Sequence, residues 1–181
     1  MRVPVSRVVL VGLPGAGKTT VGALLARQLD WAFVDVDAQV EREQGLDIPA
    51  IFRERGEAGF RVHEARTVLR ALEQPRVVVA PGGGWAAQPG AVEGVPPGTL
   101  LVWLQVEPAQ AASRLQRDAV QRPLLAQGDM VSRLTQLDGE RTVAYERAAV
   151  AVRTDDTTPE AVAREIARRL VSEYGIDGRA D

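Results

Sequence analysis

Val8-Val9-Leu10-Val11-Gly12-Leu13-Pro14-Gly15-Ala16-Gly17-Lys18-Thr19-Thr20 reads as a strand, a glycine loop and the start of a helix in one run. Residues 12–19 complete a G-x-x-x-x-G-K-[ST] string, the phosphate-binding P-loop. The apolar, largely β-branched residues before it suit a parallel strand buried on both faces. After it, Val21, Leu24, Leu25 and Leu29 recur at helical spacing. Within that frame each residue type has a physical task. The glycines let the backbone turn tightly enough to aim several N–H donors at one phosphate. Lys18 is the only lysine among 22 Lys+Arg. Its compact ammonium can follow the β- and γ-phosphates, which a planar guanidinium does less well. Thr19 offers a hydroxyl to Mg²⁺, and the helix behind it turns its positive end toward the anion. A nucleoside triphosphate site is implied. The bland alternative, a glycine-rich turn between two core elements, leaves the strand–loop–helix context of the motif unexplained.

Outward from this run, strand and helix alternate. A second strand is expected at Ala32 to Asp35. A helical region follows from Ala38 to about Leu72, broken near Gly45 and Gly56. Val77 to Ala80 reads as a third strand running into Gly82-Gly83-Gly84. Leu100 to Leu104 is a fourth, with a helix from about Pro108, and Ala149 to Val152 a short fifth. The last helix carries Val162, Ile166 and Leu170 at four-residue spacing after Thr158-Pro159-Glu160. This alternation predicts an α/β, three-layer P-loop NTPase fold: a central parallel five-stranded sheet with helices on both faces, and a mobile lid. A single domain over 1–181 is expected, with a substrate-binding helical region at about 36–73 and the lid at about 114–128. Ligands of such sheets gather beyond the C-terminal strand ends, where the P-loop, Asp35-Val36-Asp37 and the triple glycine should converge.

Composition narrows the class. At 181 residues and 45% hydrophobic, the chain can bury a proper core, and a formal charge of -2 carries no footprint for nucleic acid or anionic membrane. The absence of cysteine excludes disulfides and thiolate metal sites and fits a reducing, cytoplasmic setting. No signal-peptide pattern and no apolar run of transmembrane length is visible. No nucleic-acid or membrane partner is expected, and the chain is expected to be a monomer.

Several positions beyond the P-loop bear on the substrate. On an extended backbone Asp35 and Asp37 would face the same side, placing two carboxylates for Mg²⁺ and an acceptor hydroxyl. The plainer reading of Asp37 is a helix N-cap. Arg61 and Glu64 stand i, i+3, so the carboxylate can hold the guanidinium, although a surface ion pair would look the same. His63, the only histidine, reads as a partly exposed helix residue. Gly82-Gly83-Gly84 lets a ligand approach main chain closely. Arg114 to Asp118 and Gln121-Arg122-Pro123-Leu124-Leu125 suit a lid over the nucleotide. Arg141 is followed by Tyr145 four residues on.

Together these strings resemble the shikimate kinase family: the P-loop, D-x-D, I-F-x-x-x-G-E-x-x-F-R-x-x-E from Ile51, G-G-G, R-P-L-L and R-x-x-x-Y, in that order from Val8 to about Leu170. The resemblance implies an ATP-dependent small-molecule kinase making shikimate 3-phosphate and ADP. ATP would be the co-substrate and Mg²⁺ the cofactor. It implies that Gly12, Pro14, Gly15, Ala16, Gly17, Lys18, Thr19 and Thr20 hold the nucleotide, with Arg114 and Pro159 flanking adenine and Arg122 on the phosphates. Thr19 and Asp35 would serve the metal. Asp37, Arg61, Gly82, Gly83, Gly84 and Arg141 would hold shikimate, with Lys18, Asp37 and Arg122 acting in the transfer. Trp85 and Ala80-Pro81 depart from the family pattern, which puts the acceptor pocket's shape in question. The alternatives are a kinase for another carboxylated polyol of the gluconate type, and a nucleotide-binding regulatory module without shikimate turnover.

Overall fold

The computed structural model describes residues 4–117 and 129–176. Among them, β1 (Arg7–Val11), β2 (Ala32–Asp35), β3 (Val77–Ala80), β4 (Thr99–Gln105) and β5 (Val150–Arg153) form one parallel sheet in the order β2-β3-β1-β4-β5. Strand residues alternate between faces. Val8 and Leu10 join a core with Val21, Leu25 and Leu29 of α1 (Lys18–Leu29) and Val162, Ile166 and Leu170 of α6 (Pro159–Tyr174). Val9 and Val11 join the opposite core, supplied by α2 (Val36–Gln44), α3 (Ile48–Ala71), α4 (Pro108–Arg117) and α5 (Met130–Tyr145). Covering both faces explains why the strands read as unbroken apolar runs. The expected three-layer α/β architecture is present.

β1 lies at the centre, hydrogen-bonded to β3 on one side and β4 on the other. The chain first builds the β2–β3 side, then crosses to β4 and β5. Strand order therefore reverses at β1, and a crevice opens beyond its C-terminal end. The P-loop begins there.

The helical region behaves as its glycines suggest. α2 ends at Gly45, whose φ of 64° supplies the left-handed cap, and α3 kinks at Gly56 (φ 68°, ψ 178°). The kink reorients the second half of α3, which carries Phe60, Arg61 and Glu64. Two features differ from expectation. α2 starts at Val36, directly after β2, so Asp37 sits in a helical first turn and not on extended backbone. The α5 helix was not foreseen, because its buried stripe of Leu134, Leu137, Arg141 and Tyr145 includes a charged residue that interrupts the apolar period.

Candidate active site

The phosphate loop is shaped by backbone that only glycine tolerates. Gly12 has φ 144° and a methyl group there would stand 2.5 Å from the Leu104 carbonyl oxygen. Gly15 has φ 82° and a methyl group there would stand 2.7 Å from the Ala111 carbonyl oxygen. The Lys18 ammonium donates to the carbonyls of Gly12 (2.8 Å) and Leu13 (2.9 Å), which holds it over the mouth of the loop. Gly17 caps α1 without a side chain.

Thr19 and Asp35 come together as expected: Thr19 Oγ1 donates to Asp35 Oδ2 at 2.6 Å. The other carboxylate oxygen accepts from the Ala38 N–H at 3.1 Å, so Asp35, not Asp37, is the N-cap of α2. A hydroxyl and a carboxylate side by side form a hard-oxygen pair that fits Mg²⁺, which keeps water and substrate phosphates as its other ligands. Among the described residues no group of three or more His, Cys, Asp or Glu could enclose a metal. The pair fits a nucleotide-borne ion rather than a protein cage.

A single cavity of about 1000 Å³ is lined by the P-loop, Asp35, Asp37, Arg61, the triple glycine and Arg141. The three glycines hold its parts in register. A methyl group on Gly83 would stand 2.8 Å from Pro14 Cδ, so this glycine lets the acceptor side close against the P-loop. Gly82 donates its N–H to Glu64 Oε1 at 3.0 Å. A methyl group on Gly84 would press on Arg61 Nη2 and lie 3.1 Å from Arg141 Nη2. The two guanidinium groups thus meet over one glycine. Arg61 donates to Glu64 (2.6 Å) and Glu57 (3.1 Å), while its buried Nε has no hydrogen-bond partner. Arg141, 8% exposed, makes no ion pair among the described residues. The buried Arg141 guanidinium and the unused Arg61 N–H beside it call for an anion, and a carboxylate matches the fork of a guanidinium.

Glu64 is fully buried, and burial pushes its carboxyl up to about 7; the Asp37 charge adds to the rise, while Arg61 and the Gly82 N–H oppose it. A carboxyl raised on folding contributes stability below its unfolded value of about 4.5 that is lost as pH climbs through 7. Thermal melts of the native chain should therefore show a downward component between pH 5 and 8. Glu64→Gln, which cannot ionise, should lack that component; an unchanged slope would contradict the assignment.

Some contributors had no role assigned from the sequence. Tyr145, fully buried, donates its hydroxyl to the Gly83 carbonyl and packs on Trp103 with ring centroids 5.8 Å apart, within electrostatic reach of Arg141. Burial raises its phenol to about 12, so it stays a donor. The R-x-x-x-Y spacing was its visible signal. Phe52 and Phe60, centroids 5.0 Å apart, give the cavity an apolar wall. Ala80 and Pro81 do line the cavity, but Trp85 turns into the core from a 3₁₀ turn at Trp85–Ala87 and does not. His63 is half-buried and meets Arg55 at 2.7 Å. Pro159 and Thr20 line the cavity; Arg114 does too, with its guanidinium bound to Gly15 and Thr154. Arg122, with most of the segment expected to form the lid, lies outside the described residues.

No helix among the described residues is long and apolar enough to cross a membrane. The sequence profile of shikimate kinase matches residues 14–171. A shikimate kinase of Synechococcus sp. (strain CC9605) is 41% identical over 163 residues, 90% of this chain and 81% of that protein. The structure of shikimate kinase from Acinetobacter baumannii in complex with shikimate superposes with a TM-score of 0.88 at 32% identity, covering 93% of this chain and 94% of that one. A gluconokinase from Sinorhizobium meliloti 1021, at 19% identity and TM-score 0.61 over 97% and 96% of the two chains, shares the fold alone. With the P-loop, the guanidinium pair and the triple glycine in one cleft, and a profile match over most of its length, the chain belongs to the shikimate kinase family.

Proposed function

We propose that this chain acts as shikimate kinase, moving the γ-phosphoryl of ATP to the 3-hydroxyl of shikimate and releasing shikimate 3-phosphate and ADP, through the following division of labour. The P-loop amides and the Lys18 ammonium bind the nucleotide's phosphates and offset charge on the phosphoryl group in transit. Thr19 and Asp35 hold Mg²⁺, which when bound neutralises phosphate charge. Arg61 and Arg141 grip the acceptor's carboxylate, and the glycine main chain at 82–84 shapes the floor beneath its ring. Asp37 orients the acceptor hydroxyl and takes its proton. Arg122 is assigned to the phosphates, and Arg114 and Pro159 to the adenine, by the family pattern.

One observation carries this reading. The guanidinium pair over Gly84 opens into the same cavity as the phosphate loop, with Gly83 packed directly against Pro14. An acid bound by that pair would share one cavity with a bound triphosphate, and phosphoryl transfer requires positioning more than covalent chemistry. A coupled assay of ADP release tests it, with shikimate and gluconate as separate acceptors. Shikimate should support turnover. Turnover with gluconate and none with shikimate would overturn the reading.

The clamp gives a further expectation. Arg61→Ala and Arg141→Ala should each raise KM for shikimate about ten- to a hundredfold, the effect of losing a charge-assisted pair. KM for ATP should stay near the native value, because neither side chain belongs to the phosphate loop. Equal losses for both substrates would contradict the assignment.

A further inference from the structure

We propose that Thr154, the residue immediately after β5, is a positioning residue for the nucleotide: its hydroxyl fixes Arg114, and Arg114 braces the apex of the phosphate loop. The inference rests on the reading that this loop binds ATP. Thr154 is 2% exposed, and its polar atoms are fully engaged. Its N–H and its Oγ1 both donate to the carbonyl of Gln105, the last residue of β4, at 2.8 and 3.1 Å. The same Oγ1 accepts from Arg114 Nη1 at 3.0 Å, and the Thr154 carbonyl accepts from Nη2. Arg114 Nη1 is shared with the Gly15 carbonyl at 3.2 Å. One hydroxyl therefore stands between two strand ends and the guanidinium that reaches the P-loop.

The geometry makes the hydroxyl more than filler. A threonine hydroxyl can donate once while accepting, and both capacities are used here. Without it, the guanidinium would keep its bond to the Thr154 carbonyl and could pivot about it. The longest of its contacts, to Gly15, would be the first to open. Gly15 has little slack: at φ 82° it packs so closely on α4 that a methyl group would stand 2.7 Å from the Ala111 carbonyl oxygen. A shift of Arg114 against that packing moves the loop amides that face the phosphates. The acceptor side, by contrast, is built on α2, α3, α5 and the triple glycine, whereas the hydrogen bonds of Thr154 run to Gln105 and Arg114. The effect should fall on one substrate.

Thr154→Val removes the hydroxyl and keeps the branched shape; Thr154→Ser keeps the hydroxyl and loses a methyl group. Calorimetry on the full chain with ATP and with shikimate, together with both KM values, reads the outcome. Thr154→Val should weaken ATP binding about tenfold, the loss expected for a hydrogen bond to a charged group, with shikimate affinity within about twofold of native. Thr154→Ser should match the native chain. Thr154→Ala removes the same hydroxyl and replaces the valine variant if that one does not fold. Native-like ATP affinity without the hydroxyl would overturn the proposal, as would equal loss in the serine variant or a parallel loss of shikimate affinity. Failure of the native chain itself to bind ATP would overturn the reading of the loop and this inference with it.

Discussion

Lys18→Ala should lower kcat by about a thousandfold or more while leaving the fold intact, since removing one preorganised charge at a transferring phosphoryl group costs on the order of 10²–10⁵. The side chain lines the cavity and belongs to neither core cluster, so its loss opens no void among packed apolar groups. It donates to the Gly12 and Leu13 carbonyls of its own loop, whose shape is set independently by glycine dihedrals and by contacts with β4 and α4. Melting temperature should therefore move by only a few degrees, as for a change of about 1 kcal/mol. Lys18→Arg tests the chemistry more sharply. The charge is kept, but the guanidinium is larger and planar, and the loop mouth that holds a compact ammonium at 2.8 and 2.9 Å from two carbonyls does not suit it. Arginine should rescue little of the activity. Full recovery in the arginine variant would show that the site needs only a positive charge. The chain's single lysine adds an independent measurement. Amine-directed labelling reports on Lys18 and the α-amino group alone, and ATP should protect the first of these selectively.

How much of this was legible beforehand varies with the kind of information each feature needs. The strand cores were readable because a sheet covered on both faces demands apolar residues at every position, and Val8 to Val11 and Val77 to Ala80 comply. The order of strands was not readable, since pairing β3 between β2 and β1 is decided by contacts far apart in the chain. Helix punctuation at Gly45 and Gly56 was visible because both positions require positive φ. The choice of cap at Asp35-Val36-Asp37 was not: either carboxylate could serve, and a helix starting two residues earlier than expected hands the role to Asp35. Trp85 was ambiguous for a related reason. Whether a large ring after three glycines enters the pocket or the core depends on the local turn, and the 3₁₀ turn sends it inward. Thr154 carried no signal, because a threonine after a strand is unremarkable until Arg114 is seen beside it.

Asp37→Asn should reduce kcat about a hundredfold, the lower end of what a general base contributes. The lower end is expected because the transition state of phosphoryl transfer is loose, so the acceptor oxygen needs little negative charge before the new bond forms. Asp37 lies in the first turn of α2 and lines the cavity, and its Oδ1 is 3.4 Å from where a methyl group on Gly82 would stand. That places it beside the acceptor floor and within electrostatic reach of Glu64. Asparagine keeps the shape and can still hydrogen-bond a hydroxyl, so KM for shikimate should change only a few-fold, within the range of a single neutral hydrogen bond of about 1 kcal/mol. ATP affinity should be unchanged. Asp35→Asn provides the contrast, because Asp35 caps α2 and sits on Thr19: its signature should be a raised Mg²⁺ requirement and a lower melting temperature. Should Asp37→Asn retain native kcat and lose only shikimate affinity, the carboxylate binds ring hydroxyls without accepting a proton, and the proton must leave by way of the phosphoryl group itself.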